Sequence, residues 1–228
     1  MRKLKIAGAS VNQTPLDWDN NISNILQALA DARQNNIDIL CLPELCITGY
    51  GCEDLFLSEW LHEKAVQKLL SLLPSTLGLT VAIGIPVKFG KNLYNCACMI
   101  EDGKILGFTA KQFLANDGVH YEHRWFKPWK SGLIEKIKIN NNEYPMGDVT
   151  YQLKGINIAF EICEDAWQKE LRPGYQHCKK LNKLDLILNP SASHFSFGKT
   201  KLRENQLVLE GSEKFNCTYL FADRKSVV

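Results

Sequence analysis

A chain of 228 residues, 45% apolar and 23% charged, fits one α/β domain with a full hydrophobic core. Its net charge of +2 and its scattered basic residues argue against a nucleic-acid or acidic-membrane surface. No apolar run approaches the ~20 residues needed to span a bilayer, so neither a membrane nor a nucleic-acid partner is expected and a cytoplasmic location is.

Residues 4–11 read as an opening strand, since their apolar positions alternate with polar ones and are too few for a signal peptide. Helical spacing follows over 18–33, with Ile22, Ile25, Leu26, Leu29 and Ala30 on one face. A second strand is expected at 37–42, a helix at 55–73 and a third strand at 79–87. Residues 92–101 and 104–109 form a hairpin around Asp102-Gly103. Residues 111–131 make a long, aromatic, irregular loop of the kind that carries function. Further strands are expected at 133–139, 149–153, 156–162, 184–189 and 217–222, with helices at 173–181 and 199–215. Alternating helices and strands, together with consecutive strand pairs, indicate a layered α/β architecture without an internal linker.

Eight cysteines raise the question of metal or disulfide. There is no C-x-x-C pair and only five scattered histidines, so no metal site is expected. Most of the thiols lie in apolar segments, where core packing accounts for them. Cys163 differs in its context. It closes strand 156–162, just as Glu44 follows strand 37–42 and Lys111 follows strand 104–109. Strand C-terminal edges are where α/β sheets gather ligands and reacting groups. Alone, Glu44 and Lys111 are ordinary surface charges. As a set, they supply a base for a thiol nucleophile and a cation for the oxyanion of a tetrahedral intermediate. Residues 164–167 can begin a helix whose positive end favours the Cys163 thiolate.

Three segments, Leu42-Pro43-Glu44-Leu45 with Gly49-Tyr50, Lys111-Gln112-x-Leu114, and Ile162-Cys163-Glu164-Asp165-x-Trp167, together resemble the nitrilase (carbon-nitrogen hydrolase) superfamily. Gly49-Tyr50-x-x-Glu53-Asp54-Leu55-Phe56, residues 115–126 and Asn189-Pro190-Ser191-Ala192-Ser193 are similar to the glutaminase domains of glutamine-dependent NAD(+) synthetases. The resemblance implies an α-β-β-α four-layer sandwich. It makes Glu44 the general base, Lys111 the oxyanion stabiliser and Cys163 the nucleophile of a γ-glutamyl thioester. It assigns Tyr50, Asp117, Glu122, Trp167, Ser193 and Lys199 to the substrate pocket, with Glu122 orienting either Lys111 or the substrate amide. The implied reaction turns L-glutamine into glutamate and ammonia, which a synthetase domain or subunit uses to make NAD(+) from deamido-NAD(+). No cofactor is implied for this domain; ATP and magnesium belong to the synthetase part. Homo-oligomerisation is also implied for the parent enzyme.

Residues 193–200 superficially resemble a phosphate-binding loop, but Ser193 stands where that loop needs glycine. A Ser-Gly-Gly-type pyrophosphate loop is absent from the sequence, and the family pattern continues beyond the strand ending at Ala222. The expectation is therefore one carbon-nitrogen hydrolase domain over 1–228, lacking its last strands and the synthetase domain. Two alternatives remain: a stand-alone amidase acting on another small amide, and a non-catalytic remnant of the fold.

Overall fold

Strands that are apolar at nearly every position need cover on both faces. The computed structural model, which describes residues 3–118, 120–194 and 196–224, supplies that cover with four layers. The first sheet contains β1 (Ile6–Gly8), β2 (Ile39–Cys41), β3 (Thr80–Phe89), β4 (Asn92–Glu101), β5 (Lys104–Ala110), β6 (Ile134–Ile139) and β7 (Asn142–Gly147), in the order β1-β2-β3-β4-β5-β7-β6. The second contains β8 (Tyr151–Leu153), β9 (Ile156–Phe160), β10 (Leu186–Ser191) and β11 (Thr218–Asp223), in the order β11-β10-β9-β8. β1, β2 and β3 run parallel, as do β9, β10 and β11.

The period of two along each strand sorts the side chains into layers. Ile39 and Cys41 face Ile158, Phe160, Leu186 and Leu188 between the sheets, with Ala82, Ala97 and Met99 beside them. Leu40, Val81, Ile83 and Ile85 point the other way, into the apolar stripe of α1 (Trp18–Gln34) and α2 (Glu59–Leu72). On the far side, Ala159 and Ile187 meet Tyr175, Leu181 and Phe215. These come from α4 (Pro173–Leu181) and from a composite helix of α5 (Lys199–Leu202), a π-helical stretch (Arg203–Leu209) and α6 (Glu210–Phe215). The expected α-β-β-α sandwich is the one observed.

Local expectations were altered in four places. The buried stripe of α1 is Trp18, Asn21, Ile25, Leu29 and Ala32, which leaves Leu26 largely exposed. The helix expected over 55–73 is split by extended Ser58 into a 3-10 turn (Glu53–Leu57) and α2. Residues 142–147, given no element in the sequence, form β7, paired antiparallel with β6 through a turn at Asn140 and Asn141 with φ of 45° and 65°. Pro145 argues against a strand but is tolerated, because the pairing of β7 with β5 begins only at Met146. The segment after β9 is no regular helix: Cys163–Trp167 forms a 3-10 turn, followed by α4 only at Pro173. The long loop 111–131 contains just one short helix, α3 (Glu122–Trp125).

Glycine is required where β3 passes under the chain leaving β2. A Cβ on Gly84 would lie 2.3 Å from both the Leu45 nitrogen and the Pro43 oxygen. The backbone carrying Glu44 therefore rests directly on this strand. Gly84→Ala is expected to destabilise the fold by about 3 kcal/mol through overpacking, measured by urea denaturation; a loss below ~0.5 kcal/mol, the level of an ordinary surface substitution, would show that the loop does not depend on this contact.

Candidate active site

Three strands of the two sheets end at one place. Chain leaving β2 delivers Glu44, chain leaving β5 delivers Lys111, and chain leaving β9 delivers Cys163. The Glu44 amide donates to the Ser191 carbonyl at the end of β10, at 3.3 Å, so the two sheets are tied together at the site itself. Asp165 fixes the third segment: its carboxylate accepts from the amides of Ile162, Gln112 and Phe113 at 2.8–3.0 Å. That one side chain locks the cysteine turn to the lysine loop.

At the centre lies the fully buried Lys111 ammonium, 2.6 Å from Glu44 Oε1 and 2.8 Å from Glu122 Oε1. Asn95, from the middle of β4, donates to Glu44 Oε1 at 2.7 Å. Glu122 also accepts from the Tyr50 hydroxyl at 2.9 Å and, through Oε2, from the Ala115 amide at 2.8 Å. Both oxygens of Glu122 are thus engaged, whereas Glu44 Oε2 is buried without a partner among the described residues. Burial, opposed by Lys111 but aided by the Glu122 charge, raises the Glu44 pKa to about 7. Burial disfavours the Lys111 ammonium, yet the Glu122 and Glu44 carboxylates outweigh it and hold its pKa well above the usual value. Burial and the Glu44 charge push the Cys163 thiol well up. The resting site therefore holds a neutral thiol, a fixed ammonium and a carboxylate poised to take a proton near neutral pH.

Cys163 sits at φ +47°, a left-handed conformation that costs a non-glycine residue on the order of 1–3 kcal/mol. Leu45, directly after Glu44, is also left-handed at +50° and is fully buried. Such strain persists only where the surroundings enforce it, and here it falls on Cys163 itself and on the residue after Glu44. Of the eight cysteines, Cys41, Cys46, Cys52, Cys96 and Cys98 are buried, in keeping with core packing, whereas Cys163 is partly exposed and opens onto a pocket.

This pocket, of about 280 Å³, is lined by Cys163, Asp117, Trp167, Ser193 and Lys199, all anticipated from the sequence. Glu122 and Tyr50 do not line it; they lie behind Lys111, as parts of its support. Motif residues Asp54, Arg124 and Trp125 lie farther out, where the Arg124 guanidinium and the Trp125 indole, at 2.9 Å, both donate to Asp54. They strap the 49–56 segment to the 115–126 segment.

Four further groups were not singled out in the sequence: Asn95, His120, His194 and Arg203. Asn95 left a signal, being a polar residue inside the apolar run of β4. His120 and His194 lay within quoted motifs but had no assigned role, and their rings meet at 2.9 Å only in the fold. Arg203, in the π-helical stretch, lines the pocket with a buried Nε that has no partner.

Taken together, a buried Glu-Lys-Cys cluster at the strand ends of a four-layer sandwich has the groups that a C–N hydrolase with a cysteine nucleophile requires. The carbon-nitrogen hydrolase family matches residues 5–216, and the chain belongs to that family. Among its relatives, a glutamine-dependent NAD(+) synthetase of Oryza sativa subsp. indica is 33% identical across 89% of this chain and 29% of that protein. The Saccharomyces cerevisiae glutamine-dependent NAD(+) synthetase is 32% identical across 97% of this chain and 32% of its own length. The crystal structure of a glutamine-dependent NAD(+) synthetase from Cytophaga hutchinsonii superposes with a TM-score of 0.88 at 48% identity, covering 98% of this chain and 36% of that one. An amidase from Nesterenkonia sp. shares the fold, with a TM-score of 0.72 at 18% identity over 97% of this chain and 76% of that one. The chain thus spans about a third of the length of the synthetases it matches. Among the described residues, no helix is long and apolar enough to cross a membrane.

Two outcomes follow from the cluster. Lys111→Met leaves two carboxylates buried without their cation and is expected to destabilise the fold by about 3–5 kcal/mol, read from denaturation midpoints. Alkylation of Cys163 by iodoacetamide, followed by mass spectrometry of its peptide, is expected to accelerate as pH rises through about 7. The sign follows from Glu44, which can accept the thiol proton only once it has lost its own. Glu44→Gln should remove this rise, and an unchanged profile in that variant would exclude Glu44 as the base.

Proposed function

We propose that this chain hydrolyses L-glutamine to glutamate and ammonia through a thioester at Cys163, and that the ammonia serves NAD(+) synthesis. The observation that carries this reading is the pocket's two-ended character. At its inner end, Cys163, whose thiol feels the charges of the buried Glu44–Lys111 pair, offers amide chemistry. At its rim, Lys199 and Arg203 supply cations and Asp117 an anion, suited to the carboxylate and ammonium of an α-amino acid. Relatives named as glutamine-dependent synthetases support glutamine as that amino acid.

In this reading the Cys163 sulfur attacks the side-chain amide carbon while Glu44 takes the thiol proton. The oxyanion that forms is stabilised by the Lys111 ammonium, which needs no reorganisation because two carboxylates already hold it. The Glu44 proton then passes to the departing nitrogen, the C–N bond breaks and ammonia leaves. Water, deprotonated by Glu44, attacks the thioester carbon; the C–S bond breaks and the thiolate recovers a proton as glutamate departs. The thiol proton leaves with the ammonia and a proton from water replaces it, so Cys163 and Glu44 end as they began and this half of the reaction calls for no cofactor.

The ammonia would pass to a synthetase domain or subunit, where ATP and magnesium act in converting deamido-NAD(+) to NAD(+). Homo-oligomerisation and a cytoplasmic location belong to the same proposal. The test is a substrate panel with ammonia release as readout. L-glutamine should be preferred over simple ω-amides and nitriles, and Cys163→Ala should lower turnover by on the order of a thousandfold or more. Preference for a nitrile or an uncharged amide would sink the glutamine assignment.

A further inference from the structure

The pocket rim and the buried cluster are connected by an unbroken series of side-chain hydrogen bonds. Lys199 Nζ lies 3.1 Å from His194 Nε2. His194 Nδ1 lies 2.9 Å from His120 Nε2, and His120 Nδ1 lies 3.1 Å from the Tyr50 hydroxyl. Tyr50 donates to Glu122 Oε1 at 2.9 Å, the same oxygen that receives Lys111 at 2.8 Å.

The ends of this series determine its direction. A lysine ammonium has donors and no acceptor, so His194 must accept at Nε2 and carry its hydrogen on Nδ1. That hydrogen points at His120 Nε2, which must therefore accept, leaving the His120 hydrogen on Nδ1. Tyr50 accepts from His120 and donates onward to a carboxylate, which can only accept. Each ring is thus forced into the Nδ1–H tautomer, the reverse of the form that neutral histidine favours in water.

The charges around both rings keep them neutral. His120 faces His194, Glu122, Asp117 and Lys111; burial and then His194 lower its pKa. His194 faces His120, Lys199, Arg203, Asp117 and Arg224; burial and then the Lys199 charge lower its pKa. A second proton on either ring would set donor against donor, at Lys199 or between the rings. His194 has an additional function, because its backbone carbonyl accepts from Arg203 Nη2 at 2.9 Å. One residue thereby anchors both pocket cations, Lys199 through its ring and Arg203 through its backbone.

We propose that His194 and His120 are positioning residues: locked as Nδ1–H tautomers, they hold Lys199 toward the pocket and join the carboxylate-binding end to the Lys111 cluster. The tautomers follow from the geometry alone; the carboxylate as the bound group rests on the glutamine reading. Two measurements therefore separate the claims. In ¹⁵N–¹H spectra of the full chain, resonances assigned with His120→Ala and His194→Ala should show Nδ1 protonated and Nε2 bare in both rings. Lys199→Met should release His194 from that tautomer. An Nε2–H form for either ring in the unsubstituted protein overturns the proposal whatever the substrate is. In kinetics, His194→Ala should raise KM for L-glutamine about tenfold or more with kcat within about threefold, and leave KM for an uncharged ω-amide unchanged. A fall in kcat with unchanged KM would overturn the positioning role. If the unsubstituted chain fails to turn over glutamine, the glutamine reading falls and the spectra still decide the chain of tautomers.

Discussion

The site depends on one lysine ammonium kept out of water between two carboxylates. Removing three charged groups from solvent is costly, and their mutual attraction offsets it only with good geometry and further hydrogen bonds. Glu122 is well provided, with Tyr50 and the Ala115 amide in addition to Lys111. Glu44 shares Lys111 and Asn95 on a single oxygen and has none for the other. The cluster carries two negative charges against one positive, so it has an excess charge that a proton can relieve. The unpartnered Glu44 oxygen is where that proton has room. Burial and this excess charge together raise the Glu44 pKa to about 7, the property on which its proposed role as base rests.

Holding such a cluster requires rigid support from several directions, and the loops around it are tied accordingly. Asp165 binds the cysteine turn to the chain beyond Lys111. The neighbouring Gln112 reaches Asp148 at 2.9 Å, which is also bound by the Gly132 amide at 2.7 Å and by His177 at 2.6 Å. On the second sheet, Glu161 accepts from Arg172, Tyr219 and the Gly174 amide, fixing the chain on both sides of Cys163. These buried acids take no part in the proposed chemistry. They hold the chain on both sides of the left-handed turn at Cys163.

Glu44, Lys111 and Cys163 were legible in the sequence because each follows an apolar strand and because their segments, in order, resemble those of the nitrilase superfamily; that these strand ends converge is visible only in the fold. A layered α/β architecture was legible in the alternation of elements, and four layers only through the family resemblance; the fold shows the physical reason, since runs such as Ile-Leu-Cys in β2 and Ile-Asn-Ile-Ala-Phe in β9 are too apolar to leave a face in water. β7 escaped because Pro145 contradicts strand propensity, and only the late start of its pairing with β5 reconciles the two. The helix expected after Cys163 yielded to Asp165, whose carboxylate takes the Ile162 amide and closes a tight turn instead. The histidine pair escaped for a deeper reason. His120 and His194 stand on separate loops, and no local pattern marks two rings that acquire meaning only from each other and from a lysine at the far side.

The two ends of the pocket are unlike in a way that bears on selectivity. The inner end is dry, and its charges are already matched to one another, so it favours a neutral group that becomes anionic only during reaction. The outer end has cations, Lys199 and Arg203, both held by His194, Lys199 using one of its three donors there. An uncharged amide could react at the inner end while leaving those outer donors unsatisfied. In the proposed reaction, an amino acid with a side-chain amide would meet both ends at once. Binding energy gained at the rim then goes into placing the amide carbon against the sulfur, which a smaller substrate cannot recover by fitting the floor alone.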